Sequence, residues 1–232
     1  MGIVDICAIG IIILGTLIGL KKGAIKSFVQ LVGMVAIVIV AYQFKGYLGD
    51  LLIKIMPFFN FGGAFNELYS LNLLLYQGIA FAIIFILLYC ILNILINLSG
   101  ILDLLVKLTI VLELPSKIIG AILGAVEALV FVFVGAFVLL QNPATQKHVM
   151  ESKFTIKIVQ RTPVVYDVFR KAISASEEIY EQVKMHQENG NMLEANLEII
   201  RSLVKYDIVK AEVVQGAINS GKMRMPNVVV AS

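Results

Sequence analysis

Four long apolar runs, each interrupted by few polar residues, dominate the chain up to Leu140. The first extends from Ile3 to Leu20, with Asp5 at its edge. The second, Ile25 to Tyr42, carries Lys26 at its start and Gln30 within. The third, Leu71 to Leu98, has Gln77, Asn93 and Asn97 as its polar members. The fourth lies in SKIIGAILGAVEALVFVFVGAFVLLQ, Ser116 to Gln141, which is apolar from Ile118 to Leu140 except for Glu127 near its middle. A bilayer core takes about 20 residues of helix, roughly 17–25, so each run predicts a membrane-spanning helix. A buried helix of a soluble domain could mimic one such run. Four of them in so short a stretch do not fit inside a globular core.

Weaker patterns separate and follow the spans. In ILDLLVKLTIVLELP, Ile101 to Pro115, the charges Asp103, Lys107 and Glu113 leave no run long enough to cross. Leucines recur there at helical spacing, and Asp103 and Lys107 form an i,i+4 pair of opposite sign, so a helix lying in the interface or tucked back against the bundle is expected. The loop from Gln43 to Ser70 contains PFFNFGGAF, whose aromatics suit headgroup depth. Beyond Asn142-Pro143, Thr162-Pro163 reads as a helix start. From there Val165, Val168, Phe169, Ala172, Ile173, Ile179, Tyr180 and Val183 mark one apolar stripe. Asn189-Gly190 ends that helix, Asn191 to Glu194 resembles a capping box, and Asp207 to Asn219 predicts a third helix closed by Gly221.

Composition agrees with a membrane reading. The 232 residues are 59% hydrophobic and 15% charged, with a mean hydropathy of +0.91; soluble domains carry roughly 25% charged residues. Charge is also uneven. Residues 1–142 hold seven Lys/Arg and six Asp/Glu, whereas the remaining 90 hold twelve and ten. Two domains are therefore expected: a transmembrane part over 1–142 and a soluble helical tail over 143–232. The net charge of +3 is too small and dispersed for a nucleic-acid partner. Cys7 and Cys90 both lie in apolar runs, where free Cys behaves as a small hydrophobe. The N-terminal MGIVD lacks the basic region of a signal peptide, and Ile6 stands where N-myristoylation needs Ser or Thr. The first run therefore reads as a retained anchor.

Orientation follows from lysine placement. The first loop, KKGAIK, holds Lys21, Lys22 and Lys26 without an acid, which predicts the cytoplasmic side. Four spans then leave both termini outside.

Small residues suggest how the helices meet. Gly15, Gly19 and Gly23 recur every fourth residue, and Gly120, Gly124 and Ala128 do the same in the last span. Such stripes let backbones approach, and lipid offers helices no hydrophobic reason to associate. Glu127 lies seven residues after Gly120, nearly two turns on, and so on the same face. A charge at the helix centre costs at least about 2.5 kcal/mol on insertion scales, so an inward, protonated or hydrogen-bonded carboxyl is expected. Asn93 and Asn97, on one face of the third span, are the expected amide partners. Two roles stay open for Glu127, a polar clamp that sets helix register and a proton or substrate relay. With one intramembrane acid and no base in the pattern, the clamp is preferred. Asp5 and Lys21/Lys22 read as membrane-edge residues, Asp5 complementing the helix dipole.

Taken together, these residues resemble the colicin V production protein family. The likeness is carried by Asp5, by Gly15 and Gly19, by Lys22-Gly23 followed by AIKSFVQLVG, and by GAILGAVEALVFV from Gly120 to Val132. It covers about residues 1–140. Glu127-Ala128 stands where family members often carry Arg or Lys followed by Gly. The resemblance implies a four-span protein of the bacterial plasma membrane with a part in toxin (colicin V) production. Some relatives carry an extracytoplasmic serine protease after the membrane part.

The tail shows no such enzyme. His148 and His186 lack metal-ligand spacing, and neither GxSxG nor HExxH occurs. The sequence thus predicts an all-α polytopic membrane protein with four transmembrane helices and a small helical tail domain. It is expected to be non-enzymatic, without cofactor or metal, and to act as an accessory or structural component of bacteriocin production, export or envelope maintenance. The lipid bilayer is its expected partner, with a second copy or other envelope proteins engaging the tail. The alternative is a small oligomeric transporter or channel that uses Glu127.

Overall fold

A computed structural model describes residues 2–62, 65–98, 113–161, 165–189 and 191–223. These form α1 (Ile3–Lys22), α2 (Ala24–Ile55), α3 (Leu71–Leu98), α4 (Glu113–Leu140), α5 (Pro143–Met150), α6 (Thr155–Arg161), α7 (Val165–Asn189), α8 (Met192–Lys205) and α9 (Ala211–Asn219). No strand occurs among the described residues. Four helices, α1 to α4, are long and apolar enough to cross a membrane. They leave large aliphatic side chains uncovered, such as Ile6, Leu14 and Leu17 on α1, Ile86, Leu87, Ile94 and Leu95 on α3, and Ile118 and Ile122 on α4. Water would penalise so much apolar surface, whereas lipid does not.

The element boundaries have local causes. Gly23, at φ 77°, ends α1 with its N–H on Gly19 O at 3.0 Å, a left-handed conformation that glycine adopts without a Cβ penalty. Helix α2 starts at the next residue, and Ala24 N–H donates to Ser116 Oγ at 3.1 Å. A single-residue link makes α1 and α2 antiparallel neighbours. Helix α2 continues well past Tyr42 to Ile55, so the loop expected from Gln43 begins only at Met56. Its polar residues Gln43, Lys45 and Lys54 are good helix formers, and the helix stops just before Pro57, which restricts the residue ahead of it. Pro115 lies in the first turn of α4, where its missing N–H costs nothing. The amphipathic helix expected over Ile101–Pro115 falls, up to residue 112, outside the described residues, as does the Thr162-Pro163 cap.

The chain divides into two compact units. One comprises Met1–Ala41, Ile83–Ala136 and Glu151–Tyr166. Within it α1 and α4 cross almost backbone to backbone. A Cβ on Gly15 would lie 2.5 Å from Ala128 Cβ, and one on Gly19 would lie 2.8 Å from Gly124 Cα and strike Gly120 O. The pairing of rising α1 numbers with falling α4 numbers makes the crossing antiparallel.

The second unit comprises Tyr42–Ala82, Phe137–Met150 and Asp167–Ser232. This division does not coincide with the composition break at Asn142, because residues 42–82 group with the tail. Phe169 of α7 explains the grouping. Its ring meets Tyr42, Phe81 and Phe137 at centroid distances of 4.2, 5.3 and 4.5 Å. Further ties are polar. Asn196 accepts from Ser70 N at 2.9 Å and donates to Glu67 O at 2.8 Å. Lys222 Nζ donates to the carbonyls of Ile53 (2.8 Å), Lys54 (2.5 Å) and Met56 (2.9 Å), satisfying carbonyls that a helix end leaves open. Asn191 caps α8, accepting from Glu194 N at 3.3 Å and donating to Glu194 Oε2 at 2.9 Å. The helix expected from Asp207 begins instead at Ala211, because Asp207 adopts φ 58° and turns the chain there.

Candidate functional site

Polar side chains of four helices of the first unit form a ladder that ends at Glu127. Spacing builds it: Tyr89, Asn93 and Asn97 recur every fourth residue of α3, and Lys26 and Gln30 do so on α2, so each set lines one helix face. At the outer rung Lys26 Nζ donates to Asn97 Oδ1 at 3.2 Å, in an exposed position. In the middle, Gln30 Nε2 donates to Asn93 Oδ1 at 3.1 Å and to Tyr89 Oη at 2.8 Å. Lys22 Nζ donates to Gln30 Oε1 at 2.6 Å. At the inner end Tyr89 Oη donates to Glu127 Oε1 at 3.1 Å, while Glu127 Oε2 lies 3.7 Å from Lys22 Nζ. The rings of Phe85 and Phe131 pack on Tyr89 at 5.9 and 5.0 Å and form an apolar floor beside it.

The antiparallel crossing brings Lys22 and Glu127 together. Helical side chains lean towards the N-terminus of their own helix. Lys22, at the end of α1, therefore leans inward, and Glu127 on α4 leans back towards it. Glu127 is 5% exposed, and both its oxygens face a donor. Lys22 keeps 21% of its side chain exposed, so the pair is only partly desolvated and losing one partner costs less than the roughly 3–5 kcal/mol of a fully buried pair.

Several expected site residues stand elsewhere. Asn93 and Asn97 do not reach Glu127: Asn93 bonds Gln30 and the Tyr89 carbonyl, the latter at 2.8 Å, and Asn97 bonds Lys26. The base that the apolar pattern lacks is Lys22, which sits at the end of a span and reaches back along it. Tyr89 and Gln30 were hidden among apolar neighbours; their i,i+4 relation to Asn93 and Lys26 was the available signal. Lys21 is exposed and stands outside the ladder. Gly15, Gly19, Gly23, Gly120, Gly124 and Ala128 lie together at the α1–α4 crossing, which sets the ladder's spacing.

Asp5 does more than face its own helix dipole. It is fully buried, and its Oδ1 accepts from Phe154 N at 3.2 Å, Thr155 N at 3.0 Å and Thr155 Oγ1 at 3.1 Å. The carboxylate thus caps the start of α6 from across the chain.

Sequence comparison places this geometry in a family. No curated protein and no solved structure matches the chain. The family model described as "Colicin V production protein" matches residues 4–163, which takes in α1 to α6, the glycine crossing and every rung of the ladder. The chain is a membrane protein belonging to the colicin V production protein family.

Proposed function

We propose that the protein is a non-enzymatic, multi-pass component of the bacterial plasma membrane. It serves as an accessory scaffold in colicin V-type toxin production, export or envelope maintenance. Its membrane part presents a rigid frame, and the helical tail engages envelope partners or a second copy. The observation that carries this reading is the engagement of Glu127: a carboxylate 5% exposed, held by Tyr89 and Lys22, ties α1, α3 and α4 in register, and Gln30 adds α2. The lysines of the first loop support a cytoplasmic position for that loop. An even number of spans then supports termini outside.

A transporter is the second reading, favoured by the exposed outer rung at Lys26 and Asn97, which brings polar groups from the surface inward. Complementation of a deletion strain by Glu127→Gln separates the two. The amide keeps one acceptor oxygen, enough for either Tyr89 or Lys22, and exchanges no proton. A scaffold predicts complementation that tracks membrane abundance, which the uncompensated Lys22 ammonium lowers. Lost complementation at normal abundance would remove the clamp and leave the relay.

A further inference from the structure

The clamp has the composition of an ion site. The partly exposed Lys22 ammonium faces one oxygen from each of two other helices, Gln30 Oε1 at 2.6 Å and Glu127 Oε2 at 3.7 Å. Towards the surface the ladder continues with the amide oxygens of Asn93 and Asn97, both facing donors from α2. Away from the surface Phe85 and Phe131 offer only rings. An ammonium has three donors and no acceptor, and Lys22 meets one amide and one carboxylate oxygen as a monovalent cation would. The lysine is attached by a flexible four-carbon stem to the last residue of α1, next to the left-handed Gly23.

We propose that the Glu127 carboxylate, with the Gln30 amide oxygen beside it, is a monovalent-cation site whose resident cation is the chain's own Lys22 ammonium. Lys22 acts as a tethered occupant, so an alkali cation or small primary amine enters only when that side chain withdraws along the Asn93–Asn97 face. The inference rests on the clamp reading of the network. It adds that the clamp's positive charge is exchangeable in kind, recognised as a small cation with oxygen-seeking valences.

The alternative is an ordinary ion pair whose carboxylate accepts no cation but the lysine. Thermal unfolding of the purified full chain in a neutral detergent distinguishes the two, with Lys22→Ala and the more conservative Lys22→Gln. Each is titrated with methylammonium chloride or potassium chloride against choline chloride, whose quaternary nitrogen has no N–H, at equal ionic strength.

The expected result is a saturable upward shift of the unfolding midpoint, following one-site linkage, with methylammonium in Lys22→Ala. Wild type and the Lys22→Ala/Glu127→Gln double variant should show no shift beyond that in choline. If Lys22→Ala accumulates only when prepared in methylammonium, that rescue supports the site equally. Four results overturn the proposal: no cation-specific shift in either variant, the same shift in wild type, a shift that survives Glu127→Gln, or failure of every salt to recover either variant. These readouts are independent of complementation by Glu127→Gln, so the cation site and the scaffold role can fail separately.

Discussion

Asp5 and Thr155, 150 positions apart, are joined through both the amide and the hydroxyl of Thr155, at 3.0 and 3.1 Å from one carboxylate oxygen. The first turn of the chain's first span thereby supplies the cap for a short helix that follows its last span. Replacing Asp5 by Ala leaves those buried donors unpaired, and each unsatisfied group costs roughly 1–3 kcal/mol. Asp5→Ala should lower the unfolding midpoint in detergent, and Asp5→Asn, which keeps an acceptor oxygen, should lower it less. Equal midpoints for Ala and wild type would show that the cap carries no stability.

The α1–α4 crossing predicts a contrast between glycines. Gly19→Ala places a methyl against Gly120 O and Gly124 Cα, backbone atoms that cannot step aside. Overpacking of this kind costs typically 1–3 kcal/mol. Gly10→Ala and Gly135→Ala meet nothing within 4 Å and should leave the midpoint unchanged or slightly raised. Comparable loss in all three would show that the close approach is not what makes Gly19 sensitive.

Phe169, among the largest fully buried side chains, packs against Tyr42, Phe81 and Phe137. Phe169→Ala should destabilise by about 3–5 kcal/mol, the usual range for losing a buried aromatic. Limited proteolysis of the purified protein, followed by mass spectrometry, should show new cleavage within residues 143–223. Unchanged cleavage would detach the tail from the aromatic cluster.

Glu178 and Lys205 give a pH dependence outside the spans. The Lys205 ammonium, hydrogen-bonded to Glu178 at 2.9 Å, holds that carboxyl below its ordinary value of 4.5 and is itself held above 10.5 by the carboxylate. The depressed Glu178 contributes stability above pH 4.5 that is lost as pH falls through its folded value. The raised Lys205 contributes stability below pH 10.5 that is lost as pH rises through its own. Between those limits the pair is intact. Both side chains are partly exposed, so the effect should be small. Glu178→Gln should reduce the acid-side slope of stability against pH relative to wild type; an identical slope would remove Glu178 from the acid response.

Topology can be read with single cysteines once Cys7 and Cys90, both exposed, are replaced. Burial dictates the probes: Ser27 and Ser152 are covered, whereas Lys21 and Glu181 are exposed. With termini outside, an impermeant maleimide should label Glu181→Cys in intact cells and label Lys21→Cys only after permeabilisation. The reverse pattern would invert the orientation.

Hydropathy and spacing determined the four spans, because a bilayer demands runs of apolar side chains and a helix satisfies its backbone within itself. They also marked the small-residue faces of α1 and α4 and the inward position of Glu127, since a 3.6-residue repeat assigns faces without knowing the partner. Partners were not legible. Lys22 was a boundary residue until the antiparallel crossing aimed its side chain along the helix towards Glu127, and Tyr89 was one apolar-run residue among many until α2 and α4 came beside it. The length of α2 also escaped the pattern, because the residues after Tyr42 are too polar for lipid yet remain good helix formers. Asp5 shows the limit most clearly: its place in a first turn is written locally, but its hydrogen bonds depend on a segment 150 residues away. Local sequence sets which face a residue occupies, whereas long-range pairing depends on how helices pack, and packing is a property of the whole chain.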